Sequence, residues 1–460
     1  MSKKWTPQQQ DAINARGNSI IVSAAAGSGK TSVLVERVLH ILTDTENPVP
    51  ANRIIVVTYT DAAANEMRQR LIEGMGKLIE KEPNNDLLHE QSMLLTNAHI
   101  STIHSFCLEL MRDNFQELDI EAGFRICDEV ELEVMKKQAI DEVFEEYYEL
   151  YPGQMAELVQ FFGPTRDYKL EKTVLQIHNF LNSIPFPDEW LENQLNKFSD
   201  AENANLSEWS DIIFDEAEFL LTTAHDISIE MLQIAKLMQA MASPNDFAPP
   251  IFNIRHSPIS KIEILGLIKE LILKDVDIGN TVAMIEEDIT VIEGLIALVE
   301  KRDWESAFEY TYKFKMFRKK ELEELGEVLH AMRESVKKNI KSAQMLFLCS
   351  EEEVKSDMGK THPILEQLIK LTKSFSEKLT EIKSEKGVVD FSDFMHSAVK
   401  LLTTEKEGRR TKSALAKELS DYYEYIIIDE FQDVNDIQDE IFRLLSRDEK
   451  NIFIVGDVKQ

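Results

Sequence analysis

The chain reads as an α/β protein: a parallel sheet carrying a phosphate-binding loop, interrupted by a large all-helical insertion. Three observations predict this. Four short apolar, β-branched runs (Ser19–Ser23, Arg53–Thr58, Tyr425–Ile428 and Ile452–Val455) lack polar alternation, which suits strands buried on both faces of a parallel sheet. Between the first two lie one amphipathic helix and a turn cluster, Thr43–Ala51, with Pro48 and Pro50: the layout of a βαβ unit. From about Asp128 to Lys386 the periodicity is helical almost throughout, and strands return only after Gly387.

The first strand, Ile20-Ile21-Val22, leads into Ala24-Ala25-Ala26-Gly27-Ser28-Gly29-Lys30-Thr31-Ser32, and a helical pattern follows from Val33. Small residues let successive backbone N–H groups close around phosphates, the helix N-terminus adds positive field, and Lys30 reaches the β- and γ-phosphates. The Thr31 hydroxyl is placed to hold Mg²⁺. Ala24 stands where such loops usually begin with glycine, which requires a negative φ there. After the second strand, a weaker strand candidate, Ala98–Thr102, precedes a helix starting near Ile103.

In the helical stretch Asp128 caps a helix over Glu129–Tyr148. Amphipathic segments follow at Met155–Phe162, Leu170–Leu181, Ile212–Met241, Ile262–Leu273, Met284–Glu300 and Lys319–Leu346. Breaks are expected at Pro152-Gly153, Pro164, Pro185–Pro187 and Ser243–Pro250. Phe161, Phe162, Phe308, Tyr312 and Met316 are expected in the helical core. The third apolar run ends in Asp429-Glu430. At the C-terminal edge of a parallel sheet Asp429 can hold Mg²⁺, and Glu430 can orient and deprotonate water. An Asp-Glu pair after a strand also suits a helix N-cap; its company with the phosphate loop favours the nucleotide reading. The fourth run ends Gly456-Asp457-Val458-Lys459-Gln460, where the Gln460 amide could sense a γ-phosphate.

The length of 460 residues suggests about three domains, and 43% hydrophobic with 29% charged residues describes an ordinary globular composition. The N-terminus has no apolar signal segment and no run reaches the ~18 residues of a membrane span, so a cytoplasmic protein is expected. Three cysteines, Cys107, Cys127 and Cys349, are too few and dispersed for a disulfide framework or zinc cluster. A net charge of −31 excludes a diffuse, electrostatically driven nucleic-acid binder. The charge is uneven: Met1–Leu110 carries 10 Lys and Arg against 12 Asp and Glu, leaving 41 against 70 for the rest. A polyanion-binding surface near the N-terminal region would therefore be local. The acidic runs Glu129–Glu133 and Glu321–Glu327 read as solvated helix faces.

Seven motifs in order resemble the UvrD/Rep-like superfamily-one helicases. Asp429–Asp433, spelled DEFQD, resembles motif II, Val455–Gln460 the first half of motif III, and the phosphate loop motif I. Trp5-Thr6-Pro7-Gln8-Gln9 resembles the Q motif, making Gln9 the reader of the adenine edge. Val57–Met67 is similar to motif Ia, Ser101–Phe106 to the T-x-H-S/G-F element, and Val389–Phe394 to the D-F-x-D-L stretch before motif II. The loop spelling, DEFQD, the W-T-x-x-Q opening and the long insertion resemble the AddA-type (RexA) subunits of AddAB helicase–nucleases most.

The resemblance implies a RecA-like ATPase domain in two segments, 1–127 and 387–460, around a helical insertion at 128–386. It implies ATP and Mg²⁺ as cofactors, with Lys30, Asp429, Glu430 and Gln460 catalytic, and Thr31 and Asp429 on the metal. Single-stranded DNA would cross the sheet top. There Tyr59 would stack on a base, and Thr58, Thr60, Thr102, His104 and Ser105 would donate to phosphates. It further implies 3′→5′ translocation on DNA, action at a duplex end in double-strand-break repair and recombination, and an AddB/RexB-type partner subunit. A second RecA-like domain and a C-terminal exonuclease domain are expected beyond Gln460, so this stretch alone is expected to show negligible ATPase and no helicase or nuclease activity. Two other readings stay open here: a stand-alone UvrD/PcrA-like repair helicase, and a non-catalytic ATP-binding and partner-docking module.

Overall fold

In the computed structural model the four apolar runs and the weaker candidate pair side by side as one parallel sheet. The structure describes residues 5–24, 28–118, 120, 123–163, 167–199, 207–241, 255–274, 276, 278–406 and 408–457. In chain order, α1 (Pro7–Asn14) precedes β1 (Ile20–Ser23), and α2 (Lys30–Leu42) leads to β2 (Ile54–Thr58). Next come α3 (Asp61–Lys81), α4 (Asp86–Leu95), β3 (His99–Thr102) and α5 (Ile103–Asp113). A short strand, β4 (Arg125–Ile126), then opens the helical stretch. It comprises α6 (Glu129–Leu150), α7 (Pro152–Phe162), α8 (Tyr168–Leu181), α9 (Pro187–Ser199), α10 (Ser207–Met241), α11 (Lys261–Leu273), α12 (Gly279–Glu300), α13 (Trp304–Glu309), α14 (Glu323–Gln344) and α15 (Glu351–Glu385). The chain closes with β5 (Val388–Val389), α16 (Phe391–Leu402), a hairpin of β6 (Thr403–Lys406) and β7 (Arg409–Lys412), α17 (Ala414–Tyr422), β8 (Tyr425–Ile428), α18 (Asp436–Leu445) and β9 (Ile452–Gly456).

The strand order is β1-β9-β8-β2-β3, all parallel. Helices cover both faces, which is why the inner strands read as unbroken apolar runs. Alternate residues go to opposite layers. Ile55 and Val57 join Ile426 and Ile428 under α5, α16 and α18, with Phe106, Phe394 and Phe442. Ile54 and Val56 join Ile427 and Phe453 under α2 and α3, with Leu34, Val38, Met67 and Leu71. Because every strand points the same way, their C-terminal ends share one edge, where Ala24, Thr58, Thr102, Asp429 and Asp457 all emerge.

Two compact units divide the chain: residues 1–193 with 364–460, and residues 194–363. The divisions fall inside α9 and within α15 at Pro363, not where composition changes at 128 and 386. The reason is packing. Helices α6 to α8 build their own core with the later turns of α15, Met135, Ile140 and Leu158 against Leu371, Phe375 and Leu379, within the sheet-bearing unit. There β4 pairs with β5, Arg125 beside Val388, so the chain returns from the helical stretch next to where it left. The other unit packs α10 to α14 around Leu221, Ile234, Ile292 and Leu329. A buried Arg333–Asp288 pair (2.6 Å) also lies within it.

Several expectations differ from the structure. The edge strand β1 alternates in burial: Ile20 and Val22 pack inward while Ile21 is 76% exposed, because the core under α5, α16 and α18 centres on β8 and β2. Phe161, Phe308 and Met316 are exposed, and Tyr312 and Met316 lie in a segment outside any helix. The breaks expected at Pro152-Gly153 and Pro185–Pro187 are present: α6 ends at Leu150 and α7 starts at Pro152, and α8 ends at Leu181 and α9 starts at Pro187, since proline suits a first helical turn. The expected breaks at Pro164 and Ser243–Pro250 lie outside the described residues.

Candidate nucleotide and nucleic-acid site

The sheet brings the two motif segments together. Lys30 is the first residue of α2, and its Nζ lies 3.0 Å from Glu430 Oε2, across 400 positions of sequence. The helix begins after Gly29, whose φ of 87° belongs to the left-handed region, and no side chain caps it. Glycine takes that conformation without a Cβ penalty, and the uncapped N–H groups of the first turn face the cleft. Ala24 keeps a negative φ, as alanine requires, and its N–H donates to the Gly456 carbonyl at 3.0 Å.

Asp429 continues the β8 ladder through its N–H to Val57 O (2.9 Å), so its buried carboxyl sits at the strand end. Burial pushes that carboxyl above the ordinary aspartate range, and the negative charge of Glu430 adds to the effect. A carboxylate penalised in this way is stabilised by a cation. Glu430 moves the other way: the Gln432 amide (2.7 Å) and Lys30 hold it below the usual range. Its backbone is also left-handed, with φ 54°. Gln432 spans two strands, because its Oε1 accepts the Asp457 N–H at 2.9 Å while its Nε2 donates to Glu430. Lys30, Asp429, Glu430 and Gln432 line a cleft of about 620 Å³ together with Thr31, Tyr59 and Arg70. The oxygen donors there, Asp429 and Thr31, are hard ligands that fit a magnesium ion.

Gln9 sits beside the loop. Its side chain closes a capping box with Thr6, and its Nε2 donates to Ser28 O at 3.2 Å. A glutamine amide has two donors and two acceptor lone pairs, so one of each remains for a ligand. Along the same edge Tyr59 is 68% exposed, not folded over the core. The Thr60 side chain caps α3 by accepting the Ala63 N–H, and its hydroxyl proton remains available. Thr58 and Thr102 differ from expectation. Thr58 is buried and donates to Thr60 O (3.1 Å), and Thr102 caps α5, with its hydroxyl also bonded to Ser105 Oγ (2.9 Å). Both stand where strand turns into helix, and the turn engages their hydroxyls. The His104 ring meets Phe391 edge-on at 5.9 Å, and burial lowers its pKa, keeping it neutral near pH 7.

The sequence model of the UvrD/REP helicase N-terminal domain matches residues 5–460. The chain belongs to this family. Curated relatives, each named as one subunit of an ATP-dependent helicase/nuclease, are similar over its whole span. The one from Acetivibrio thermocellus is 34% identical, covering 99% of this chain and 35% of that protein. Those from Clostridium perfringens strain SM101 and Thermoanaerobacter pseudethanolicus are each 33% identical, covering 100% of this chain and 34% and 35% of theirs. The chain thus spans about a third of the length of the curated relatives it matches.

Within this helicase N-terminal domain the expected nucleotide residues Gln9, Ala24, Ser28, Gly29, Lys30, Thr31 and Ser32 lie at one strand edge with Asp429 and Glu430. Ala25, Ala26, Gly27 and Gln460 lie outside the described residues. Sequence reasoning misses two residues. Gln432 stands in the sequence only as one letter of a motif, yet its amide is legible as a two-way linker. Phe391, 55% exposed beside His104, follows the capping residue Asp390; an aromatic at a first helical position is the available signal. Among the described residues no helix is long and apolar enough to cross a membrane.

Proposed function

We propose that this chain is the N-terminal ATP-binding part of an ATP-dependent DNA helicase of the AddA helicase/nuclease type. It would translocate on single-stranded DNA in double-strand-break repair and recombination, beside an AddB/RexB-type subunit. The contact of Lys30 with Glu430 carries this reading, because it joins a phosphate-binding lysine to a water-activating carboxylate. In this reading Lys30 and the N–H groups from Gly29 to Ser32 hold the triphosphate, and Gln9 reads the adenine edge. Thr31 and Asp429 would hold Mg²⁺, which neutralises phosphate charge when bound. Glu430, kept ionised by Gln432 and Lys30, orients a water and takes its proton. Gln460 is proposed as the γ-phosphate sensor. The helical stretch 128–386 is read as an insertion between two segments of one RecA-like domain, supported by the β4–β5 pairing at its ends.

Tyr59 offers a base an exposed aromatic face, worth about 1–3 kcal/mol per stacked base. Thr60, Ser105 and His104 flank it as donors to phosphate, with Phe391 beside them. Donors of this kind grip a strand without a dense positive patch, which reconciles a net charge of −31 with a DNA substrate. Equilibrium binding tests the reading. Lys30→Ala should abolish ATP binding at concentrations that saturate the parent chain, and Tyr59→Ala should weaken oligo-dT binding at least tenfold while leaving ATP affinity unchanged. Oligo-dT affinity indifferent to Tyr59 would remove the strand-binding edge, and ATP affinity indifferent to Lys30 would remove the nucleotide site.

A further inference from the structure

Arg37 is 1% exposed, a depth at which a cation needs a reason. It lies on α2 two helical turns beyond Lys30, on the same side of that helix. Its Nη1 donates to Ala12 O (2.7 Å), Ala15 O (2.8 Å) and, more weakly, Ile13 O (3.4 Å). These are the last carbonyls of α1, which intrahelical bonds leave open. The guanidinium also stacks 4.1 Å from the Phe453 ring centre on β9. Burial, foremost, lowers its pKa to about 10, so it remains charged at neutral pH.

Helix α1 depends on such support. It has only eight residues, one of them buried (Ile13), and no basic residue in its own last turn. A helix that short is unstable alone, and its negative C-terminal end calls for a cation. Arg37 supplies a buried cation there from α2, beside the half-buried Arg16, whose Nη1 also donates to Ile13 O (3.0 Å) and Ala15 O (3.1 Å). Arg16 Nη2 lies 3.0 Å from His40 Nδ1 on α2, but Arg37 alone reaches Ala12 O and β9. The opposite end of α1 carries Gln9, whose Nε2 rests on Ser28 O of the phosphate loop. The element is therefore held at its front by the loop and at its back by Arg16 and by Arg37, which alone ties it to both α2 and β9.

We propose that Arg37 is a positioning residue for base recognition: by fixing the C-terminal end of α1 on α2 and β9, it sets where Gln9 stands over the phosphate loop. The adenine-dependent part of nucleotide affinity then depends on Arg37, although it does not touch the nucleotide. This rests on the reading of Gln9 as the base reader.

Calorimetric titration of the chain with ATP, GTP and inorganic tripolyphosphate, each with Mg²⁺, tests it. Arg37→Met keeps the packing volume on Phe453 and removes the carbonyl contacts. It should weaken ATP about tenfold, narrow the preference for ATP over GTP, and leave tripolyphosphate within about twofold. Gln9→Ala should do the same, and the double variant should be no weaker than either single one. Equal losses for ATP and tripolyphosphate in Arg37→Met would show a merely structural role and overturn the proposal. An impaired Gln9→Ala beside an unimpaired Arg37→Met would overturn it while leaving the Gln9 reading intact. An unchanged base preference in Gln9→Ala would remove both. Should Arg37→Met fail to fold, Arg37→Lys, which keeps the charge without the fork of donors, is read by the same criteria.

Discussion

Two residues at the nucleotide edge hold backbone conformations that decide what their neighbours can do. Gly29 at φ 87° turns the loop into α2. A Cβ in that conformation costs about 1–2 kcal/mol, and relieving it rotates the N–H groups away from the phosphates. Gly29→Ala should therefore lower ATP affinity about tenfold with a near-normal melting temperature, as titration and calorimetric unfolding would show. Glu430 at φ 54° is the costlier case, since it is not glycine. The turn brings its carboxylate to Lys30 and Gln432, both of which donate to Oε2. A triphosphate must compete with that carboxylate for Lys30 and approach its negative charge. Glu430→Gln should accordingly bind ATP severalfold more tightly. Weaker binding by titration would mean that Glu430 holds the nucleotide and does not oppose it.

At the scale of elements, the inner strands are fixed by burial on both faces. Ile427, fully buried between β2 and β9, contacts the layer under α2 and α3. Ile427→Ala should cost about 2–5 kcal/mol through lost transfer energy and a cavity, measurable by urea unfolding. The α8–α15 contact adds a pH dependence. His178 bonds Ser376 Oγ at 2.9 Å and lies edge-on to Phe375, and burial lowers its pKa to about 4, with Lys136 adding to the shift. The unfolded imidazole, near 6.5, binds a proton that the folded one refuses. Stability is complete above about pH 6.5 and is lost as pH falls toward 4, by about 2 kcal/mol between pH 7 and 5. His178→Gln should flatten that slope in unfolding experiments; an unchanged slope would assign the acid sensitivity elsewhere. Helices such as α6, α8 and α10 were legible because a 3.6-residue period recurs over many residues, the inner strands because they are unbroken apolar runs, and Asp128 caps α6 as its position foretold. The two-residue ladder β4–β5 and the hairpin β6–β7 were not, since Arg125-Ile126 is too short to show a pattern and Thr403–Lys406 and Arg409–Lys412 are polar and largely exposed, with no apolar run.

For the molecule as a whole, charge and binding must be reconciled. With −31 overall and hydroxyl, imidazole and aromatic groups at the proposed strand edge, oligo-dT affinity should fall shallowly with salt. A slope of log K on log salt of about −0.7 to −1.4 is expected, which is what one or two phosphate neutralisations give on a single strand. A slope beyond −5 would reveal a basic groove elsewhere. By itself the sequence placed the phosphate loop and the Asp429-Glu430 pair at strand ends as local patterns, whereas the role proposed for Tyr59 rests on the resemblance of Val57–Met67 to motif Ia. Only the tertiary structure decided which ends adjoin. The order β1-β9-β8-β2-β3 places Lys30 on Glu430, and the packing of α1 on α2 puts Arg37 beneath the helix of Gln9. It also left Phe161, Phe308 and Met316 exposed where composition suggested a core, and drew α6 to α8 into the sheet-bearing unit. The physical reason is that periodicity records whether a face is buried, whereas the partner that buries it is set by contacts hundreds of residues apart, which no local window contains.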